Sequence, residues 1–173
     1  MALISNIRPS GRVTYITPKW VTDALGPFHV DIAAAKDSYN KIGTRSNYYG
    51  PTESESCGLA ATLRRSDFVW CNPPFGKANG EQDFMKKMSE HNNGILLVPS
   101  KVCGIGFHTH IFPRAAAILF WRGAFMFLDE NGNDLLNFGG YQGVTLVAFG
   151  SKALTRLRKL SQHGHLQEMI NGN

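Results

Sequence analysis

The sequence lacks the features of a disulfide-bonded, zinc-binding or membrane-spanning protein. Its three cysteines, Cys57, Cys71 and Cys103, are odd in number and form no C-x-x-C pair, which argues against a disulfide framework and a structural zinc site. No apolar run approaches the roughly 18 residues of a membrane span. The N-terminal residues lack the sustained apolar stretch of a signal peptide. These absences predict a protein of the cytoplasm that makes no membrane contact.

The sequence has enough apolar residues for a core and an excess of positive charge. Of the 173 residues, 43% are apolar and 18% are charged, a balance that is typical of a folded protein. The length predicts a single domain over residues 1–173, without a separate target-recognition domain. The formal charge of +5 favours an acidic partner, and nucleic acid is the commonest one. Monomer and homodimer both stay open.

Apolar runs alternate with helical patterns along most of the chain. Capping residues and apolar side chains at helical spacing predict helices at 18–25, 81–91 and 151–162, with Thr17 and Ser151 as caps. Short apolar runs predict strands at 28–33, 67–71, 94–99, 115–120, 124–128 and 144–149. Residues 34–65 are predicted to be mostly loop.

The order of these elements predicts the fold class. Asn131-Gly132 is a strong hairpin signal, so the strands at 124–128 and 144–149 are expected to form an antiparallel pair. Early alternation of strand and helix favours an α/β fold whose sheet is mostly parallel with an antiparallel edge. Asp31 and Asn72 then fall at strand carboxyl ends, where such sheets bind ligands, and are expected to share one crevice.

The segment Asn72-Pro73-Pro74-Phe75 fits methyl transfer to an exocyclic amine. The amino nitrogen of a base is a poor nucleophile, because its lone pair is delocalised into the ring. The side-chain carbonyl of Asn72 and the backbone carbonyl of Pro73 can accept the two amino hydrogens and localise that lone pair, while the prolines fix the backbone. The ring of Phe75 can hold a flipped base by stacking.

With this motif the chain resembles a known family, the phage-type DNA N6-adenine methyltransferases, which are Dam-like adenine methylases. The resemblance covers roughly residues 14–150, and its specific part is the Asn-Pro-Pro-aromatic motif. Supporting segments are Thr17-Pro18-Lys19-Trp20, 30–34, 69–76, 95–99 and Trp121-Arg122-Gly123.

The resemblance implies a Rossmann-like methyltransferase fold and the cofactor S-adenosylmethionine. It implies that Asn72, Pro73 and Phe75 are catalytic and engage a flipped adenine of DNA. It also implies a bacterial host cytoplasm. The residues expected to line the cofactor site are Thr17, Pro18, Asp31, Ala33 and Asn72. Pro74 and Phe75 are expected to bind the DNA substrate. Lys77, Arg64 and Arg65 flank the motif in sequence rather than belong to it, and they are expected to bind the DNA phosphates or to be ordinary surface.

Two positions depart from the family pattern. Ala33-Ala34-Ala35 stands where most methyltransferases place glycines, and Cys57-Gly58-Leu59 stands where related sequences carry an acid. Glu53, Glu55 and Asp67 are the substitutes that could hold the ribose or adenine of the cofactor. These departures motivate an alternative, namely a non-catalytic DNA- or cofactor-binding protein. A second alternative is another amine or amide methyltransferase, acting on cytosine N4 or protein glutamine.

Several other polar and aromatic residues could bind a ligand or could serve the fold alone. Arg45, Lys86 and Lys87 could bind phosphates beside the crevice, or could be ordinary surface. The basic face of the last helix, which carries Lys152, Arg156, Arg158 and Lys159, is interpreted as the wet side of a packed helix. The pairs His108/His110 and His163/His165 have no third ligand nearby, so no metal site is expected. Cys71 is expected to be a buried apolar residue. Phe107, Trp121 and Phe138 are expected to fill the core rather than line a base pocket.

Overall fold

The computed structural model describes residues 15–35, 40–47, 58–76, 80–129, 131–134 and 141–170. Seven of its strands form one sheet in the order β2-β1-β3-β4-β8-β5-β9, and a separate pair is formed by β6 and β7. The strands are β1 Val30–Asp31, β2 Ser46–Asn47, β3 Val69–Cys71, β4 Gly94–Pro99, β5 Ala117–Trp121, β6 Ala124–Phe125, β7 Tyr141–Gln142, β8 Val144–Phe149 and β9 Gly164–Glu168.

The sheet changes from parallel to antiparallel at β4. The pairings β2/β1, β1/β3 and β3/β4 are parallel, whereas β4/β8, β8/β5 and β5/β9 are antiparallel. The α/β class is confirmed as a mixed sheet, and its antiparallel part is wider than the single edge that was predicted. Because β4 and β5 both run opposite to β8, they point the same way, and their carboxyl ends lie at the same edge as those of β1 and β3.

Helices cover both faces of the sheet. The α-helices are α1 Lys19–Leu25, α2 Glu81–His91 and α3 Ser151–Leu157, and α3 continues as a 3-10 helix at Arg158–His163. One face buries residues of α1 and α3, such as Val21 and Leu157, against the sheet. The other face buries residues of α2, such as Phe84 and Met88, together with a short π-helix at Phe107–Ile111. All six residues of β4 and of β8 are buried, as expected for strands covered on both faces.

The predicted α2 and β4 are confirmed to the residue, but the predicted hairpin between 124–128 and 144–149 is wrong. β6 pairs with β7, and β8 lies between β4 and β5 in the main sheet. The turn itself exists: the Asp129 carboxylate accepts the N–H groups of Asn131 and Asn133, and Leu128 bridges Asp134. The turn signal was therefore correct locally, whereas the pairing is decided by β8, all of whose residues are buried at the centre of the sheet.

Two predicted caps are also wrong. Pro18 precedes α1 as its cap residue, and no side chain caps that helix; the Thr17 hydroxyl is instead bonded to Asn72. Ser151 is the first residue of α3, and Gly150 stands at the cap position without a side-chain bond. The predicted helix at 151–162 is helical throughout, but it is α-helix only to Leu157 and 3-10 helix from Arg158. Among the described helices, none is long and apolar enough to cross a membrane.

Candidate active site at the carboxyl ends of the strands

The sheet topology places Asp31 and Asn72 at one crevice. From β1 the chain goes to β2 on one side, and it later returns to β3 on the other side of β1. The carboxyl ends of β1 and β3 therefore flank the point where the connections diverge, which is where open α/β sheets bind ligands. Asp31 pairs with Trp70, and the Ile32 N–H donates to the Trp70 carbonyl over 3.1 Å. Asn72 follows two residues after Trp70, on the same side of the pleat.

The Asn72 side chain is oriented by its amide nitrogen and leaves its oxygen unused. Nδ2 donates to the Tyr15 carbonyl over 2.9 Å and to the Thr17 hydroxyl over 3.3 Å. A backbone carbonyl only accepts, so this contact fixes which end of the amide is nitrogen. Oδ1 is buried and, among the described residues, has no hydrogen-bond partner. A buried acceptor without a donor costs free energy, so this atom is poised for a ligand donor.

The segment that holds the Asn72 amide is itself anchored. Ile16 and Leu128 exchange two backbone hydrogen bonds of 2.9 Å. The Thr17 carbonyl accepts a bond of 3.0 Å from the side chain of Asn40, which is buried. Thr17 is also buried. The expected site residue Thr17 thus touches Asn72, and Pro18 comes directly after it at the start of α1.

Phe75 belongs to a cluster of aromatic rings beside Asn72. Its ring is half-buried and stacks on Tyr15, with centroids 5.9 Å apart and planes 19° apart. Phe127 contacts both rings edge-on, at 5.9 Å from Phe75 and 5.3 Å from Tyr15. Tyr15 remains 38% exposed. An aromatic wall that is accessible from solvent therefore stands next to the unused oxygen of Asn72.

The end of the loop is fixed by a buried carboxylate. Pro73 is buried and Pro74 half-buried, and the N–H of Gly76 donates to the carboxylate of Glu81 at the start of α2. Lys101 lies 3.7 Å from the same carboxylate. The loop that carries Asn72 is thereby tied to α2 at one end and to β3 at the other. Lys77 lies outside the described residues.

Asp31 is a buried acid without a cationic partner among the described residues. Its carboxylate accepts the N–H of Ala33 over 3.0 Å. Burial raises its pKa to about 7, and the bond from Ala33 offsets only part of that rise. Cys71 on the neighbouring strand is buried as expected, and burial followed by the charge of Asp31 raises its pKa well above the usual range.

The backbone after Asp31 is approached by a glycine from another segment. A side chain on Gly58 would put its Cβ 1.5 Å from the Ile32 carbonyl oxygen, so only glycine fits there. The glycine that allows two backbone segments to approach closely at the end of β1 is therefore Gly58, which comes from another part of the chain. The segment after β1 itself contains alanines, Ala33-Ala34-Ala35, and no glycine. Cys57, Glu53 and Glu55 lie outside the described residues.

Arg64 and Arg65 are not brought to this crevice. Both side chains are exposed and precede β3, so they lie at the amino end of a strand whose carboxyl end carries Asn72. Asn93, just before β4, donates to the Arg65 carbonyl over 3.1 Å, which confirms this placement. The expectation that these arginines flank Asn72 does not hold. They precede β3 and Asn72 follows it, and the residues before and after a strand lie at opposite edges of the sheet.

The other candidate charges mostly serve the fold. Arg45 forms an ion pair with the buried carboxylate of Asp67, at the amino end of β3, which removes Asp67 as a cofactor ligand. Burial alone would raise the pKa of Asp67, but the hydrogen bonds and charges of Arg45 and Arg64 lower it overall. Lys87 donates to the carbonyls of Leu59 and Ala61, at 3.0 and 2.6 Å.

The last helix is packed, and its basic side chains face solvent or make local contacts. Leu157 and Leu160 are buried, and Leu154 packs partly against the same core. Lys152 lies 4.5 Å from the centre of the Phe68 ring, and Arg158 forms an ion pair with Glu168. Within the described ranges, no group of three or more His, Cys, Asp or Glu residues could hold a metal ion. Phe107 is core as expected, Trp121 is only half-buried, and Phe138 lies outside the described residues.

Sequence reasoning missed four residues that shape the site. These are Tyr15, Asn40, Glu81 and Phe127. Tyr15 contributes a backbone carbonyl, for which no sequence signal exists. Glu81 is the first residue of a helix just after the loop, where an acid can reach back to loop N–H groups, and that position could have been flagged. Comparison with known proteins found no family model, no curated protein and no solved structure that matches this chain.

Proposed function

We propose that this chain is a DNA adenine-N6 methyltransferase that uses S-adenosylmethionine. The proposal is carried by one observation: the Asn72 side-chain oxygen is buried at the switch point of the sheet and has no donor among the described residues. An amino group of a base is a donor of the required kind. The motif Asn72-Pro73-Pro74-Phe75 and its resemblance to the adenine methylases name that donor as adenine.

The residues of the loop would act by position rather than by acid–base strength. The Asn72 oxygen would accept one amino hydrogen and the Pro73 carbonyl the other, which draws the nitrogen towards tetrahedral geometry and localises its lone pair. Because Nδ2 is held by Tyr15 and Thr17, the oxygen does not have to reorganise before it accepts. The tie from Gly76 to Glu81 supports the same preorganisation.

The aromatic wall would hold the base. Phe75 is kept in place by Tyr15 and Phe127, and together the three rings offer flat apolar surface beside the acceptor. Stacking is worth about 1–3 kcal/mol per base and does not depend on sequence. A target adenine inside a duplex would have to be flipped out to reach this wall.

The residues at the end of β1 fit an S-adenosylmethionine site. Asp31 is a buried carboxylate with no cation beside it among the described residues, and burial therefore raises its pKa to about 7. The cofactor's ammonium or ribose hydroxyls could supply a partner, with Ala33, Thr17 and Pro18 lining the site. When bound, S-adenosylmethionine supplies an electrophilic methyl group. Gly58 leaves room for the close backbone path that glycines after the acid give in related enzymes.

The strand order supports a Rossmann-like methyltransferase fold. β2, β1, β3 and β4 run parallel, with the reversal of direction between β1 and β3, as in doubly wound nucleotide-binding sheets. The choice of adenine in DNA rests on the family resemblance and the positive charge. Cytosine N4 and glutamine amides present the same two hydrogens to the same acceptors, and no observation favours them.

A methyl-incorporation assay with an Asn72→Ala variant tests this function. Tritiated S-adenosylmethionine and unmethylated DNA should give labelled adenine with the wild type. We expect Asn72→Ala to reduce incorporation by roughly 100-fold or more while changing cofactor binding little, because it removes a preorganised acceptor. Asn93→Ala is the matched control, since its amide lies before β4 at the opposite edge. Full activity of Asn72→Ala would remove the loop from the mechanism, and tight DNA binding without any incorporation would favour the non-catalytic alternative.

A further inference from the structure

An aromatic cluster away from Asn72 faces solvent between α1 and the end of β5. The rings of Trp121 and His163 stack with centroids 5.1 Å apart and planes 1° apart. Trp20 contacts both of them, at 6.0 Å from Trp121 and 5.1 Å from His163, with its plane tilted by 46° and 47°. Trp20 is nevertheless 50% exposed, and the other two rings are half-buried. Three rings are thus held together while part of their surface stays in water.

Four of the five exposed large apolar side chains of the described residues belong to segments at the carboxyl edge of the sheet, and the fifth, Ile170, follows β9 at the other edge. Tyr15 touches the Asn72 loop, and Trp20 contacts Trp121 at the carboxyl end of β5. Val102 and Ile105, which follow the carboxyl end of β4, are 39% and 64% exposed. Exposed large apolar side chains scattered singly need no explanation, but ring surface that stays exposed within a packed cluster at the edge of a ligand crevice indicates a binding surface.

A row of rings connects this cluster to the Asn72 loop. Trp121 contacts Phe125 at 4.8 Å, Phe125 contacts Phe127 at 4.7 Å, and Phe127 contacts Phe75 at 5.9 Å. Phe125 and Phe127 are buried in the core, so the row is internal packing, and only its ends reach solvent. Both ends lie at the carboxyl edge of the sheet, so a ligand on Trp20 lies at the same edge as Asn72.

Positive charge stands at the rim of the cluster. Arg122 follows Trp121, and its Nη2 donates over 2.8 Å to the carbonyl of Gln162, next to His163. Among the described residues Arg122 pairs with no carboxylate, and its remaining N–H groups can meet a phosphate. The nearest acid on α1, Asp23, is already paired with Lys19. Exposed rings with an adjacent arginine are the combination that binds unpaired bases and their backbone.

We propose that Trp20, Trp121 and His163, with Arg122 at their rim, form a stacking site for unpaired bases of single-stranded DNA. The proposal rests on the proposed function for the identity of the ligand, and it names single-stranded DNA as the preferred substrate. Bases inside a duplex are already stacked and cannot present their faces to Trp20. A strand bound on this cluster would lie at the edge of the sheet that carries Phe75, where a neighbouring base could reach that ring.

The test is binding of a fluorescein-labelled twelve-residue oligothymidylate, measured by anisotropy at fixed salt, beside a twelve-residue abasic strand with the same phosphates. We expect Trp20→Ala to weaken binding of the oligothymidylate by roughly 5- to 150-fold, the equivalent of one lost stacked base, and to leave the abasic strand unaffected. Trp20→Phe should bind within about threefold of the wild type but lose the part of the tryptophan quenching that comes from Trp20, which leaves that of Trp121 because Trp70 is buried. Ile170→Ala, which removes an exposed apolar side chain beyond β9, is the matched control.

The outcomes separate this inference from the proposed function. Oligothymidylate binding that Trp20→Ala leaves unchanged, or an equal loss for the abasic strand, would overturn the stacking site, and so would failure of the wild type to bind the oligothymidylate. Methyl incorporation that does not depend on Trp20 would overturn this inference alone. Binding that depends on Trp20, in a protein that incorporates no methyl group, would overturn only the methyltransferase proposal. A thermal melt of Trp20→Ala, together with the affinity of Trp20→Phe, shows that a loss does not come from unfolding.

Discussion

The two edges of the sheet treat their buried polar groups in opposite ways. At the amino edge every such group of the described residues has a partner: Asp67 is paired with Arg45, and the Asp67 carbonyl accepts from Asn93 over 3.0 Å. His29 Nδ1 accepts the N–H of Phe68 over 2.9 Å, although the two residues are far apart in sequence. This edge needs nothing from outside the chain.

The carboxyl edge contains one buried acceptor without a donor and one buried acid without a cation. The Asn72 oxygen has no donor among the described residues, and Asp31 has no cation there. Both groups are held rigidly by other bonds, to Tyr15 and Thr17 in one case and from Ala33 in the other. Buried polar atoms are nearly always satisfied, so the rigid, unsatisfied oxygen of Asn72 marks a place where a ligand completes the structure, and the buried acid beside it has room for a cation.

The largest expected effect is that of Asp31→Asn on stability. Burial holds the pKa of Asp31 at about 7, against 3.8 for an ordinary aspartate, so between pH 4 and 7 the folded protein binds more protons than the unfolded chain. The ionised carboxylate therefore destabilises the fold above pH 7, and the penalty disappears as pH falls below 4. We expect Asp31→Asn to raise the free energy of unfolding at pH 8 by up to about 4 kcal/mol, with a smaller gain at pH 5.

Urea denaturation of Asp31→Asn at pH 5 to 8 measures this gain, and Asp83→Asn, which removes an exposed acid of α2, is the control. The same variant should weaken cofactor binding. Destabilisation of Asp31→Asn at pH 8 would show that its carboxylate is satisfied, and would remove the contrast between the edges.

Arg45→Ala should have the next largest effect and the opposite sign. It removes the ion pair of the buried Asp67 carboxylate and leaves only the bond from the Arg64 N–H, so we expect a loss of about 2–3 kcal/mol in the free energy of unfolding at pH 7. Because the pKa of Asp67 is lowered in the folded state, its contribution is present above pH 4 and is lost as pH falls through the folded pKa. The loss in Arg45→Ala should shrink accordingly in acid.

Methyl incorporation per folded molecule should be unchanged in Arg45→Ala, since the ion pair lies at the edge away from Asn72. Arg65→Ala, which removes an exposed arginine of the same edge, should alter stability little. A selective loss of incorporation in Arg45→Ala, without a loss of stability, would assign the amino edge a role in the reaction.

Thr17→Val should have the smallest effect and the most specific one. The hydroxyl accepts one of the two bonds that orient the Asn72 amide, so its removal should lower kcat about three- to tenfold. Thr17→Ser keeps the hydroxyl and should restore most of the rate. If both variants lose activity equally, packing of the buried Thr17 rather than its hydroxyl holds Asn72.

Sequence reasoning located the local elements and the chemistry of the site, but not the pairings. The continuous apolar run of β4 and the Gly80 and Asn92 boundaries of α2 are local signals, and both elements were predicted to the residue. β8 was paired with the wrong partner, because an apolar strand is compatible with any central position. β9 was missed, since Gly164–Glu168 has one apolar residue and is an edge strand that depends on β5.

Within the site, too, residues at strand ends were predicted from the sequence, but their partners in space were not. Asp31 and Asn72 were predicted to share a crevice, because both follow short apolar strands and strand ends meet at one edge. The arginines were misplaced because proximity in sequence was taken as proximity in space. The partners of Asn72 could not be predicted, since Tyr15 contributes only its backbone and Thr17 was explained by a helix cap.

The late position of β8 in the chain has a consequence for how the protein is made. β4 and β5 are both complete by Trp121, but the strand that pairs with each of them is Val144–Phe149. During synthesis these two apolar strands leave the ribosome before β8 has been translated, so the edges that pair with β8 are open. Open apolar edges can associate with other chains. Chains that stop before Val144 are therefore expected to aggregate, and chains that include β8 to fold slowly because its contacts are distant in sequence.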